Sequence, residues 1–223
     1  MHEDHRERLR QRFERDGLDG FEQHNVLELL LFFGVPRKDT NPLAHTLINR
    51  FGSLTRVIDA PIDKLCEVKG MTRNAAVLLK LLPPVMGIYL QGKSDFKNMM
   101  VTHADCAEYL RPYFTGASDE MVYVVCLDGK CTPIECVFLC KGDINSVHVS
   151  PRRVMEIALG RKACAILLAH NHPQGTALMS SDDINTTNKI KSVLESVSIT
   201  LIDHLVFAAD GEYCSFKDSG LLK

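Results

Sequence analysis

The sequence predicts an α/β (α+β) protein in which a small all-helical region precedes a sheet-bearing domain. Three observations predict it. The first ninety residues carry helical apolar spacing throughout. From about Val101 onward, short β-branched runs alternate with helical stretches. Ala163 to Ala169 is almost wholly apolar, as expected of a strand covered on both faces.

Residues 1–92 are expected to form the helical domain. Arg6, Arg8, Arg10, Arg12 and Arg15 interleave with Glu3, Asp4, Glu7, Glu14 and Asp16, the pattern of a solvated helix laced with opposite charges. Asn25 to Phe33 reads as a short apolar helix ended by Gly34-Val35-Pro36. Asn41-Pro42 opens another, with Pro42 suited to a first turn and Leu43, Ala44, Leu47 and Ile48 marking one face. Phe51 to Leu54 turns into a short helix through Ile58, and Pro61 opens one that runs to about Val68. Gly70 makes a tight turn before a helix over Asn74 to Leu82. Pro83-Pro84 are expected to stop that helix and, with Gln91 to Asp95, to form a linker that includes Val85 to Leu90 as helix or strand.

Residues 101–223 are expected to form the second domain. Asp105 to Phe114 is a helix, and Glu120 to Asp128 and Thr132 to Leu139 form a hairpin around Asp128-Gly129. Val147 to Val149 reads as a short strand and Pro151 to Leu159 as a helix closed by Gly160. After the buried strand comes a long helix from Ser181 to Ser196, and Ile199 to Phe207 and Glu212 to Phe216 complete the sheet.

Composition narrows the function classes. A chain of 223 residues can bury a real core, and 45% apolar with 24% charged residues fits a folded protein rather than a disordered one. A net charge of -2 gives nucleic-acid binding no bulk electrostatic support and leaves a local patch open. Ala75 to Leu82, interrupted by Lys80 and stopped by Pro83, falls short of the roughly 18 to 20 residues that cross a bilayer, so no membrane partner is expected. The first residues lack the apolar region of a secretory signal. Eight cysteines are therefore expected to be reduced, in a cytoplasmic protein, and to act mostly as small apolar side chains.

The chemistry concentrates in Leu168-Ala-His170-Asn-His172-Pro-Gln-Gly175-Thr-Ala-Leu-Met-Ser180-Ser-Asp-Asp183. Residues two apart on a strand point to the same side, so His170 and His172 share a face at the strand's C-terminal end. Pro173 and Gly175 turn the chain back, Ser180 or Ser181 caps the next helix, and Asp183 falls in its first turn. Two imidazoles and a carboxylate suit Zn²⁺, and three protein ligands leave a fourth position for water. The competing reading makes the histidines hydrogen-bonded core groups and Asp183 a favourable charge at a helix N-terminus.

The spacing His170-x-His172-Pro173, then Ser180 and Asp183, resembles the JAMM motif of MPN-domain metalloproteases. "ILLAHNHPQG", "SSDDINTTNKI", "ITLIDHLVF" and "CSFKDSGLL", with "VLELLLFFG", "LINRFGSL" and "VKGMTRNAAVLLK" upstream, resemble the bacterial RadC family, labelled DNA repair proteins. The resemblance implies an MPN/JAMM-like, cytidine-deaminase-like three-layer α/β domain. It also implies zinc on His170, His172 and Asp183, Ser180 stabilising a tetrahedral oxyanion, and hydrolysis of an amide or isopeptide bond.

A proton shuttle is also required, and Glu135 on the second strand of the hairpin is the candidate. Here the chain departs from the family: counted back from Gly142, the resemblance puts the strand glutamate where Val137 stands. Glu135 shares that face but sits about 6.6 Å further along, so a bulge or register shift is needed to restore it. Asp203-His204 follows Ile199 to Ile202, where Asp203 reads as orienting His204 or as accepting from a zinc ligand's free nitrogen, with buried polar support for the sheet edge as the equal alternative.

Leu65 to Ala76 resembles a helix-hairpin-helix element, whose turn directs backbone N–H groups at a phosphate. Lys69, Gly70 and Arg73 are its DNA-contact candidates. Thr72 stands where the usual second glycine would be and is expected to cost backbone freedom there. A helical packing or protein-interaction module is the competing reading. Taken together, the sequence points to a zinc-dependent hydrolase acting on a peptide or protein substrate. The alternative is a non-catalytic DNA-associated or scaffolding protein that retains the metal pocket. A zinc deaminase fits poorly, because it pairs one His-x-Glu with a Pro-Cys-x-x-Cys segment and His170-Asn171-His172 supplies neither piece.

Overall fold

The structure is a computed structural model that describes residues 2–36, 38–93, 100–142 and 149–222. The chain divides into two compact units, Met1–Val85 and Met86–Lys223.

The first unit is helical: α1 (His2–Asp16), α2 (Gln23–Gly34), α3 (Asn41–Phe51), α4 (Leu54–Asp59), α5 (Ile62–Cys66) and the start of α6 (Arg73–Lys93). Leu27, Leu31, Leu47, Val57, Leu65 and Leu79 are wholly buried in its core. Helix α1 is more than a solvated rod, since Leu9 packs with Leu29 and Phe32. His5 Nε2 meets the buried Glu28 carboxylate at 2.9 Å, and Asn41 donates to the other oxygen at 2.9 Å, so the carboxylate inside α2 is paired.

Helix α6 corrects the reading at Pro83-Pro84, because both prolines lie inside it and Gln91, Gly92 and Lys93 are its last residues. Ser94 and Asp95 of the expected linker lie outside the described residues. Two prolines cost a helix hydrogen bonds and add clashes, but α6 is anchored before and after them. Ala75, Ala76 and Leu79 are wholly buried in the first unit. Beyond the prolines, Gly87 sits so close to Pro112 O that a Cβ there would lie 3.0 Å away, and Gln91 donates to the same carbonyl. At 21 residues, with a mean hydropathy of 1.4 over an 18-residue window, α6 is long and apolar enough to cross a membrane by length and composition, a length the reading of a helix broken at Pro83 did not count.

The turn from α5 to α6 takes Gly70 to φ +97°, which only glycine adopts cheaply. Thr72 carries no such strain. Its hydroxyl accepts from the Ala75 amide at 3.1 Å and donates to the Gly34 carbonyl at 2.8 Å, as a helix-capping threonine does.

The second unit is a three-layer α/β/α domain. Its elements are α7 (His103–Phe114), β1 (Met121–Leu127), β2 (Pro133–Lys141), α8 (Pro151–Gly160), β3 (Ala165–His172), α9 (Ser181–Glu195), β4 (Thr200–Ala208) and β5 (Tyr213–Ser215). The sheet order is β2-β1-β3-β4-β5. β1 runs antiparallel to β2 and β3, β3 and β4 are parallel, and β5 closes the edge antiparallel to β4. Alternation sends Val124, Ile166, Leu168 and Val206 toward α8 and α9, and Val125, Leu167, Leu205 and Phe207 toward α7. Both faces of β3 are therefore covered, which explains its unbroken apolar run. Of the short strand expected at Val147 to Val149, residues 147 and 148 lie outside the described residues, and Val149 is buried without being part of a strand.

Candidate metal centre

The parallel pair β3 and β4 opens its C-terminal edge beneath the start of α9, where crevices form in such sheets. β3 extends through His172, so His170 and His172 project from one face of a regular strand. The intervening Asn171 faces the other way and ties the strand down. Its Oδ1 accepts from the Met121 amide at 2.7 Å, and its Nδ2 donates to the Asp119 carbonyl at 3.2 Å. A turn in which the Gly175 amide donates to the His172 carbonyl reverses the chain toward α9. Ser180 caps α9 by accepting from the Asp183 amide at 3.1 Å, while Asp183 Oδ2 accepts from the Ser180 amide at 2.8 Å and its hydroxyl at 2.6 Å. This reciprocal box turns the Asp183 carboxylate back over the strand end.

Three donor atoms converge there. His170 Nε2 lies 3.1 Å from His172 Nε2 and 3.4 Å from Asp183 Oδ1, and His172 Nε2 lies 3.9 Å from Asp183 Oδ2. All the ligand atoms fall within 4.8 Å of one another. A tetrahedral zinc ion at 2.0–2.1 Å from its ligands separates neighbouring ligand atoms by about 3.3 Å, which these spacings match. His172 Nδ1 lies 2.9 Å from the Thr176 carbonyl, which only accepts, so that nitrogen carries the ring proton and Nε2 offers a lone pair to the cluster. Two imidazoles and a carboxylate form a donor set suited to zinc. His170 and Asp183 are buried, whereas the His172 side chain keeps 20% exposure and marks the solvent side.

The electrostatics favour an ionised carboxylate. Burial pushes Asp183 upward, but the hydrogen bond and charge of His170 when that ring is protonated, with the Ser180 hydroxyl and amide, outweigh it and hold the carboxyl well below its usual range. Asp182 is exposed, one position round the helix.

The structure gathers His170, His172, Asp183 and Ser180 at one place and leaves Glu135 elsewhere. Glu135 is exposed and held bidentately by Arg161, Nε to Oε2 at 2.8 Å and Nη2 to Oε1 at 3.2 Å. Glu135 pairs with Cys126, and Cys126 with Ile166, four residues before His170. Four residues and two strand spacings put its Cα about 13 Å along and about 10 Å across from that of His170. The irregularities in the β1–β2 register, at Val122/Tyr123 and Cys126/Leu127, do not bring it closer. Val137 lies nearer, paired with Val124 and through it with Leu168. Arg152 bonds Glu156 at 2.8 Å on the exposed end of α8.

Two functional candidates went unassigned in the sequence. His204 Nε2 lies 2.8 Å from His170 Nδ1, and His204 Nδ1 lies 2.6 Å from Thr187 Oγ1 on α9. Burial, and then the neighbouring His170, push His204 well below the ordinary histidine value. The Asp203-His204 pair was the available signal, but Asp203 does not orient His204 by its ring. Its carboxylate accepts from the His204 and Lys217 amides and from the Ser215 hydroxyl, holding the β5 edge. Thr187 gave no signal, being one polar residue among many on α9.

A family model described as a RadC-like JAB domain matches residues 100–221, inside the second unit. UPF0758 protein FN0909 of Fusobacterium nucleatum is 35% identical over 225 residues, covering 98% of this chain and 97% of that protein. UPF0758 protein SPO0054 of Ruegeria pomeroyi is 34% identical over 219 residues, covering 98% and 97%. Similarity therefore runs through both units, and the JAB assignment falls on the one that carries the His-His-Asp cluster: the chain belongs to the RadC family.

Proposed function

We propose that the second unit is a metal-dependent hydrolase that holds zinc on His170, His172 and Asp183 and cleaves peptide, isopeptide or other amide bonds. The observation that carries this reading is the convergence of two imidazole nitrogens and a carboxylate from β3 and α9, buried except on the His172 side. Zinc in such a set acts as a Lewis acid and lowers the pKa of a bound water toward neutrality. The residues divide the remaining work. The strand and the capping box hold the ligands in place. Ser180 is exposed at the start of α9, and its hydroxyl, now donating to Asp183, is the group we assign to turn toward a developing oxyanion. A cytoplasmic location accompanies this reading, since eight cysteines stay reduced there.

A second reading is favoured by one specific observation. With Glu135 on Arg161 and Val137 at the nearer position, no carboxylate besides Asp183 is seen at the cluster among the described residues. A protein that keeps the metal pocket for scaffolding fits that arrangement. General acid–base help is worth about 10²–10⁴-fold, so its absence slows hydrolysis without removing the metal's own contribution. The test is turnover of fluorogenic peptide and isopeptide substrates by zinc-loaded parent and Glu135→Gln. Slow parental turnover, unchanged in Glu135→Gln, is expected. A fall of about 100-fold or more would make Glu135 the shuttle, and no turnover by either protein would favour the scaffold.

DNA is proposed as a partner of the first unit. Lys69 is exposed beside Gly70 in the turn before α6, and Arg73 lies 3.6 Å from Asp63, which offsets part of its charge. We expect weak duplex binding whose affinity falls with salt and falls further in Lys69→Ala/Arg73→Ala, with the salt slope reduced by up to about 2. Equal binding by parent and variant in a fluorescence-anisotropy titration would remove this contact site.

A further inference from the structure

We propose that Thr187 and His204 form a positioning relay that fixes which nitrogen of His170 carries the proton, leaving Nε2 free for a metal. The inference rests on the reading of His170 as a ligand. The direction of each hydrogen bond follows from one group. The backbone carbonyl of Asp183 only accepts. Thr187 Oγ1 lies 2.6 Å from it, a separation two oxygens hold only with a proton between them, so the hydroxyl's single hydrogen is spent there. Thr187 Oγ1 also lies 2.6 Å from His204 Nδ1 and, its hydrogen spent, accepts from it. His204 therefore carries its proton on Nδ1.

His204 is wholly buried and stacked on Phe216, with 4.6 Å between ring centroids. A neutral ring in that setting has a lone pair on Nε2. That nitrogen lies 2.8 Å from His170 Nδ1, which accordingly donates. His170 is left with a bare Nε2 facing His172 Nε2 and Asp183. The relay starts on the backbone of Asp183 in α9, passes through β4 at His204 and ends on β3. The residue that supplies the carboxylate thus also sets the tautomer of the imidazole opposite it. His172 takes its tautomer from a separate source, the Thr176 carbonyl, so the two rings can be told apart by mutation.

The test pairs Thr187→Val, which removes the hydroxyl at nearly constant shape, with Thr187→Ser, which keeps it. Long-range ¹H–¹⁵N spectra of the ring nitrogens are recorded on metal-free full-length protein at mildly alkaline pH, and zinc affinity is measured by competition with a chromophoric chelator. The parent and Thr187→Ser are expected to carry the His170 proton on Nδ1. Thr187→Val is expected to lose that single tautomer and to bind zinc roughly 10- to 100-fold more weakly. His172 should keep its Nδ1 proton in all three, which general damage to the fold would not allow. A parental His170 protonated on Nε2, or a Thr187→Val protein with parental tautomer and affinity, overturns the relay. A parent with the stated tautomers that binds no zinc upholds the relay and overturns the metal reading instead.

Discussion

His172→Ala should purify as a folded protein that has lost its zinc, against near-stoichiometric metal in the parent. Among the three candidate ligands this one separates binding from folding most cleanly. His170 and Asp183 are buried, and Asp183 also caps α9, so their removal damages packing and helix start together. His172 sits at the rim with its side chain 20% exposed, and beyond the cluster its ring hydrogen-bonds the Thr176 carbonyl alone among the described residues. Losing one of three ligands should cost more than the 10- to 100-fold that loss of an outer hydrogen-bonding partner costs. Two donors then compete poorly with water, and metal analysis after gel filtration should find the variant nearly empty. Circular dichroism on the same sample checks the fold. Zinc content equal to the parent would remove His172 from the ligand set.

How much was legible in the sequence depended on how local each determinant is. The two-residue spacing of His170 and His172, the turn at Pro173 and Gly175, and the Ser180–Asp183 capping box all lie within fourteen residues, so strand and cap rules suffice to bring the three donors together. The apolar run of β3 disclosed its burial for the same reason. Determinants set by distant chain were hidden. His204 reaches His170 only because β3 and β4 pair in parallel, 34 residues apart, and nothing in the Asp203-His204 dipeptide says which of the two faces the cluster. Arg161 captures Glu135 from 26 residues away. Pro83-Pro84 misled because local propensity argues for a break, while buried Ala75, Ala76 and Leu79 before them and Gly87 and Gln91 after them hold the helix in place.

Val137→Glu is expected to raise amide hydrolysis by about 10²-fold in zinc-loaded protein, the lower end of what a positioned general base contributes. Val137 pairs with Val124, which pairs with Leu168, so its Cα lies about 7 Å along and about 10 Å across from that of His170, half the offset of Glu135 along the strands. It shares the sheet face that carries the histidines, and the family resemblance assigns the strand glutamate to this position. Competing arginines keep the estimate low. Arg153 and Arg161 line the same open cleft as Val137 and will draw a new carboxylate toward themselves. Arg161 is already engaged by Glu135, which weakens that competition. Val137→Gln, of the same size without the charge, separates a base from a change of shape and should give no gain. If glutamate and glutamine variants both bind full zinc and neither turns over substrate faster than the parent, a missing base is not what limits this site. The metal would then hold the fold or a partner rather than a reacting water, and the scaffold reading would take precedence.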